Sequence, residues 1–503
     1  MEFVYGDVNM EALVCMPCAQ AQVEGELPLP EGRRAADAEV LSANGTVTVT
    51  KCASAEGAVV IEGRVRAELV CRDSSFVPEE GGNAAGAVFA FNSSAAFRYV
   101  LEAPGAKEGM GANAQASIVE MNVAQGARLS FSSTVELCAV VTCEKPIRAL
   151  NDVAGAQAEF KTNAYSSQNE TLIGCEETRV REELAARGVC RVLCAYAEVS
   201  SRSVRAGGDT ALVDATAYVT ALVENESGRI ETYASQLPLT LEVGLDERAR
   251  GDVYADAAAL ATELYALSES TLCLELNLRT KIYDVCPREA QLSADAYLPG
   301  EAMESAFGET ELMLRGGHVG TRCSMDEKLV LPEGMPQPTR VVWSAARPLV
   351  TSAAAEDGML AVEGVASVRA VYEDANNALN AFTTQLPFAC GVPCPAWCNE
   401  ARAGAKLLCA GMTLSGASLV FSAALEISAM PFAAKTVRYV AGFEPCAARE
   451  GRRSLILCYA GAGETLFDIG RRYGLSRASL LAANPNAREQ LAEGERLVFI
   501  GRG

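Results

Sequence analysis

The stretches VVIEGRVRAELVC (Val59–Cys71), ALVDATAYVTALV (Ala211–Val223) and LAVEGVASVRAVY (Leu360–Tyr372) line up without gaps, at offsets of 152 and then 149 residues. Each alternates apolar and polar residues over much of its length, which is the two-residue period of a half-buried strand. A second block keeps the offset of 149: RIETYASQLPLTLEV (Arg229–Val243) matches ALNAFTTQLPFACGV (Ala378–Val392), both with Gln-Leu-Pro followed by an apolar residue. The first copy offers AVFAFNSSAAFRYVL (Ala87–Leu101), displaced by the insertion PEEGGNAAGA. Two alternating runs joined by a polar turn (CRDSS plus that insertion, ENESG, EDANN) read as a β-hairpin.

A third block alternates too: GARLSFSSTVELCAV (Gly126–Val140), ESTLCLELNLRTKIY (Glu269–Tyr283) and GASLVFSAALEISAM (Gly416–Met430). A fourth precedes each hairpin, in GELPLPEGRRAADAEVL, REELAARGVCRVLCAYA and EKLVLPEGMPQPTRVVW, and marks a strand leaving into a loop. The chain thus holds three copies of one unit, residues 1–148, 149–294 and 295–440, each with six or seven short strands. This predicts a mainly β protein built of three tandem β-sandwich or barrel-like repeat domains. Two windows argue otherwise. DVYADAAALATELYALS (Asp252–Ser268) has helical propensity from alanine, and TRVREELAARG looks like a helix ending at glycine. The counterparts ANAQASIVEMNVAQ and NEARAGAKLLCAGMTL read as strands, and equivalent positions share structure, so a strand is expected there.

The 503 residues include 43 Lys and Arg against 64 Asp and Glu, a net charge of −21. Such a chain repels phosphate backbones and anionic lipid, so the expectation is no nucleic acid and no membrane partner. No apolar run reaches membrane-spanning length, and the start MEFVYGDVNMEALV lacks a basic n-region and an apolar h-region, which points to the cytoplasm. The single histidine, His318 in RGGHVG, excludes a His–His metal site within the chain and reads as a surface residue. Of the 18 cysteines, CxxC occurs once (Cys15, Cys18), and the groups Cys190/Cys194 and Cys390/Cys394/Cys398 lack zinc-site pairing. They read as reduced, buried, small apolar residues, with late oxidative crosslinking as the alternative. The pairs Glu79-Glu80 and Glu176-Glu177 read as solvated loops rather than a glycosidase dyad, and Trp343 and Trp397 as core. No GxxxxGK[ST] loop occurs, so nucleotide hydrolysis would belong to a partner; with the lone histidine and unpaired cysteine groups, catalytic residues, cofactor and metal are expected to be none.

After a small-residue and charged linker (441–453), residues 454–501 change character. LILCY is a strand. Thr465 can cap a helix with apolar face Leu466, Ile469 and Tyr473, ended by Gly474; Ser476 can cap a second carrying Leu480 and Leu481, stopped by Asn484-Pro485. Gly494 precedes a closing strand at Arg496–Ile500, giving β-α-α-β.

These residues resemble a LysM domain. The family pattern of Gly-Asp-Thr-Leu, an aromatic and Ile becomes Gly463-Glu464-Thr465-Leu466-Phe467-Asp468-Ile469; Tyr473-Gly474, Leu480 to Asn484-Pro485, and Gly494 to Leu497 follow. Glu464 stands for Asp, and Gly470 where alanine is usual. The resemblance implies a shallow groove of Gly463, Glu464, Thr465, Leu466, Asn484, Pro485 and Asn486, which takes N-acetylglucosamine oligomers of peptidoglycan or, alternatively, a protein; Leu466 could instead be core. The three preceding units resemble SPOCS domains, and the layout resembles that of SipL-type spore-coat morphogenetic proteins. That resemblance implies a non-enzymatic scaffold in the mother cell, which binds a coat morphogenetic ATPase and other coat proteins and helps attach coat to the forespore surface. The alternative is a peptidoglycan-binding cell-wall protein with β-repeat spacers.

Overall fold

The protein is described from a computed structural model, which covers residues 2–76, 87–416, 418–447 and 453–502. The Glu79-Glu80 pair, most of the insertion before Ala87 and part of the linker lie outside the described residues. The first copy contains β1 (Glu2–Cys15), β2 (Cys18–Leu27), β3 (Ala38–Ala55), β4 (Ala58–Asp73), β5 (Val88–Glu102), β6 (Gly111–Gln125) and β7 (Leu129–Ala154). The second contains β8 (Glu159–Ala185), β9 (Val189–Gly207), β10 (Thr210–Asn225), β11 (Ile230–Gly244), β12 (Asp252–Ser268) and β13 (Thr271–Tyr297). The third contains β14 (Met303–Arg315), β15 (Val319–Leu329), β16 (Arg340–Glu356), β17 (Met359–Glu373), β18 (Leu379–Pro393), β19 (Glu400–Ser415) and β20 (Ser418–Pro445). The tail is β21 (Arg453–Tyr459), α1 (Leu466–Tyr473), α2 (Arg477–Ala483) and β22 (Arg496–Arg502).

One antiparallel pattern recurs three times. The middle strand of each hairpin set, β4, β10 or β17, lies between its neighbours in the sheets β3-β4-β5, β9-β10-β11 and β16-β17-β18. The long last strand lies between two others: β7 between β6 and the collinear β1 and β2, β13 between β12 and β8, β20 between β19 and the collinear β14 and β15. Strand β8 is continuous where the first copy breaks at Met16-Pro17, a residue with no N–H for the ladder. In the first two copies two sheets face each other, and in the third the equivalent strands form one seven-stranded sheet, joined where Ala354 of β16 pairs with Glu400 of β19, so each copy closes as a sandwich-like barrel. Its core is the inward-facing half of each alternating run, such as Val59, Ile61, Val65, Leu69, Leu129, Phe131, Val135 and Leu137 in the first copy. Asp252–Ser268 is a strand, and the helix-like TRVREELAARG forms the end of β8 and its turn: Val180 and Leu184 pair with Leu276 and Leu272 of β13 and enter the second core. Burial of an alternating face outweighs the few tenths of a kcal/mol per residue of helix propensity.

The strands named in the three aligned stretches are apolar on a second face as well, and that face joins the copies. Val70, Leu222 and Val371 share one repeat position, Val88, Ile230 and Leu379 another, and Leu41, Leu193 and Val342 a third; all pack in one cluster. A second cluster at the last strands joins Ile147, Ala290 and Val437, again equivalent by repeat. Arg315, 8% exposed, stands beside it between Glu11 of the first copy (3.7 Å) and Glu170 of the second (4.0 Å). The copies therefore pack around a pseudo-threefold axis, each touching the other two.

Trp343 lies in the first of these clusters, edge-on to Tyr196 at 5.8 Å. Trp397, expected in a core, is 41% exposed, because it sits in the turn between β18 and β19 rather than on a strand face. The cysteines also depart from expectation. Cys18 and Cys138, directly opposite on β2 and β7, form a disulfide; among the free ones Cys71, Cys273, Cys398 and Cys458 are buried, whereas Cys175 and Cys190 are exposed. No described helix is long and apolar enough to cross a membrane.

Candidate binding site on the C-terminal module

The module is a two-stranded sheet, β21 against β22, with both helices packed on one face. Thr465 accepts from the Asp468 amide while the Asp468 carboxylate accepts from the Thr465 amide at 3.0 Å, a capping box at the start of α1. Gly474 ends the helix at φ 64°, a left-handed position that glycine adopts without steric cost. Ser476 caps α2 through the Ser479 amide, at 3.1 Å.

The expected groove residues divide into two groups. Leu466 is fully buried with Ile469, Leu480, Leu491 and Leu497, so it is core and not a ligand contact. The Asn484 side chain donates to the carbonyls of Leu480 and Val498 and accepts from the Val498 amide at 2.8 Å, which ties α2 to β22. Glu464 accepts from the Gly461 amide at 2.8 Å and pairs with Arg472, and Thr465 is the cap just described. Gly463, Pro485 and Asn486 remain exposed. The two loops are held together: Leu466 donates to Glu489 O at 3.0 Å and Leu491 to Glu464 O at 3.1 Å.

The helices also meet the second copy, a contact that no local pattern in the residues announces. Glu159, 6% exposed at the start of β8, accepts from the backbone amide of Arg477 at 3.1 Å and from its Nε at 2.5 Å. A carboxylate there satisfies an amide that has no partner within α2 and sits at the positive end of its dipole. Tyr297, at the end of β13, donates to Leu475 O at 3.0 Å and packs edge-on against Phe467, with ring centroids 5.1 Å apart. Lys161 lies 3.5 Å from Asp468, and Arg471 pairs with Asp295. Asp468 is held below the usual carboxylate range: burial alone would raise it, but its bonds from Thr465 and the Lys161 charge outweigh that.

The outer face of the sheet is apolar and open. Leu455 (73% exposed), Leu457 (52%), Tyr459 (61%) and Ile500 (66%) line it, and Leu455 lies opposite Ile500 in the ladder. The run LILCY is apolar on both of its faces, so this surface was legible as more strand than the helices could cover.

This is a class of protein in which three fused β-barrels carry a small α/β module. The model of the family described as SipL, SPOCS domain matches residues 38–125. That span runs from β3 to the last residue of β6, one continuous run within the first copy. No curated protein and no solved structure matches the chain.

Proposed function

We propose that the chain is a non-enzymatic scaffold of spore-coat morphogenesis. It acts in the mother cell at the forespore surface, where it binds a coat morphogenetic ATPase and other coat proteins. The observation that carries this reading is the SipL SPOCS match over residues 38–125, which supports a role connected with the spore coat. The tail is a LysM-like module used for protein contact. Supporting this, the side chains of Leu466 and Asn484 are spent inside the module, while its widest apolar surface is the open sheet face. Large apolar residues collected on one exposed face mark an interaction site.

The test pairs capture of the coat ATPase from sporulating cells with a sedimentation assay on purified peptidoglycan. Leu457→Asp on the intact chain should abolish ATPase capture and leave a fluorescent fusion diffuse, where the parent protein forms a shell around the forespore. Peptidoglycan binding reversed by chitin oligomers, with ATPase capture intact in Leu457→Asp, would overturn it in favour of the cell-wall reading.

A further inference from the structure

A cleft of about 790 Å³ opens where the three copies meet. Its walls come from β6, from β9, β12 and β13 (Arg202, Asp256, Lys281), from His318 just before β15, and from β15, β19 and β20 (Arg322, Arg402, Lys406, Glu426). Five cationic side chains thus face two carboxylates, in a chain whose net charge is −21.

Two of the cations have fixed structural tasks. Arg322 donates to Ser200 Oγ at 2.7 Å and lies 3.8 Å from Glu426, to which Ser200 also donates. Lys406 reaches from the third copy into the second and bridges the carbonyls of Val199 and Ala257, each at 3.1 Å. Among the described residues Arg202, Lys281 and Arg402 form no ion pair, although Asp256 stands directly opposite Lys281 in the β12–β13 ladder. Arg402 is half-buried, and its guanidinium donates to Ala139 O at 2.8 Å. Burial without an acidic partner lowers its pKa.

Comparison of the copies shows that these three charges are not inherited from the repeat. Arg202 is the extra residue of a β-bulge; the equivalent Thr50 and Thr351 bond back across the hairpin to Glu62 O and Glu363 O, and Arg202 does not. The repeat positions of Lys281 hold Cys138 and Ser428, and those of Arg402 hold Asn113 and Tyr254. Each cation is thus specific to one copy, and all three line the same cleft. Beside them the exposed His318 ring is stacked on Tyr254 at 4.4 Å, nearly parallel, and Tyr254 on Tyr283 at 5.0 Å, which leaves an aromatic floor.

We propose that this cleft binds a small, planar-bodied polyanion, its carboxylate or phosphate groups held by Arg402, Arg202 and Lys281 and its ring laid on His318. The volume lies within the range of small-molecule sites, and charge-assisted hydrogen bonds supply the selectivity. The site is independent of the scaffold reading, since none of its residues belongs to the C-terminal module.

Calorimetric titration of the full-length protein with phthalate, and separately with citrate, tests it. Saturable phthalate binding is expected, weakened about tenfold by Arg402→Gln and comparably by Arg202→Gln. Arg202 is exposed and its guanidinium forms no hydrogen bond or ion pair among the described residues, so Arg202→Gln should leave the fold intact. His318→Ala should weaken phthalate several-fold and leave citrate unchanged. Absence of saturable binding up to millimolar phthalate, or binding indifferent to both Arg202→Gln and Lys281→Gln, would overturn the proposal. So would tight binding of oligoglutamate with no response to either small anion, which would assign the cleft to an acidic peptide.

Discussion

The hydroxyl of Tyr297 occupies the space into which a Cβ on Gly470 would project: the two would stand 2.2 Å apart, and the Leu475 carbonyl would stand 2.7 Å from that same Cβ. Glycine inside a helix costs about 1 kcal/mol against alanine. Here the cost is offset by the seat that the second barrel gives the module. Gly470→Ala should therefore destabilise rather than stabilise, by about 1–3 kcal/mol, as overpacked sites do. Hydrogen exchange of the α1 and α2 amides should speed up in this variant while exchange in the barrels stays unchanged.

The Glu159 carboxylate fixes the start of α2 from outside the module. Glu159→Gln removes a charge-assisted pair at a buried position, and the expected loss is about 1.5–3 kcal/mol of docking stability. Limited proteolysis should then cut near the linker at a lower protease concentration than in the parent chain.

Acid should loosen the same joint. Asp468 titrates near 3.9 in an unfolded chain and lower in the folded one, so its contribution is complete above that value. It is lost as pH falls through the lower folded value. The urea midpoint of the module should drop as the pH falls below about 4, the unfolded-chain value, and Asp468→Asn should lower the midpoint at neutral pH while flattening the acid limb.

Leu466 decides between two uses of the loop at Gly463–Leu466. Because it is fully buried, Leu466→Ala should cost about 2–5 kcal/mol, enough to melt a module of this size at moderate temperature. A variant of undiminished melting temperature would contradict the buried placement.

A charge swap tests the threefold packing. Arg191 pairs with Glu224 and Arg340 with Glu373 directly across the hairpin; at the equivalent position of the first copy the charges are exchanged, Glu39 against Arg72. In the third copy Arg340 also donates to Ile230 O of the second at 2.7 Å, and Arg72 donates to Leu379 O of the third at 3.3 Å. Either polarity thus places a guanidinium against the equivalent carbonyl of a neighbour. Glu39→Arg combined with Arg72→Glu should fall within about 1 kcal/mol of the parent in chemical denaturation, whereas Glu39→Arg alone should cost more, with two like charges opposed.

The strand set was legible because its signal is local. The period-two alternation of Val59–Cys71 and its two counterparts fixes which residues face each barrel's interior, and repetition corrected the helical bias of Asp252–Ser268. The caps Thr465 and Ser476 and the stop at Gly474 were equally local. What escaped was everything set by contact between distant segments. Nothing near Tyr297 or Glu159 in the sequence announces that they seat a module well over 150 residues away. The roles of Leu466 and Asn484 depend on which side of each loop turns inward. Trp397 was misjudged because hydrophobicity alone does not say whether a residue lies on a strand face or in a turn.

Because every barrel meets both of the others along the shared axis, the arrangement is closed. A chain with two barrels would leave one flank of each open to water, and a fourth would find no vacant flank to join. The flanks buried between the barrels are therefore not available to other copies of this chain, and a larger layer built from it would be joined through surfaces outside the ring.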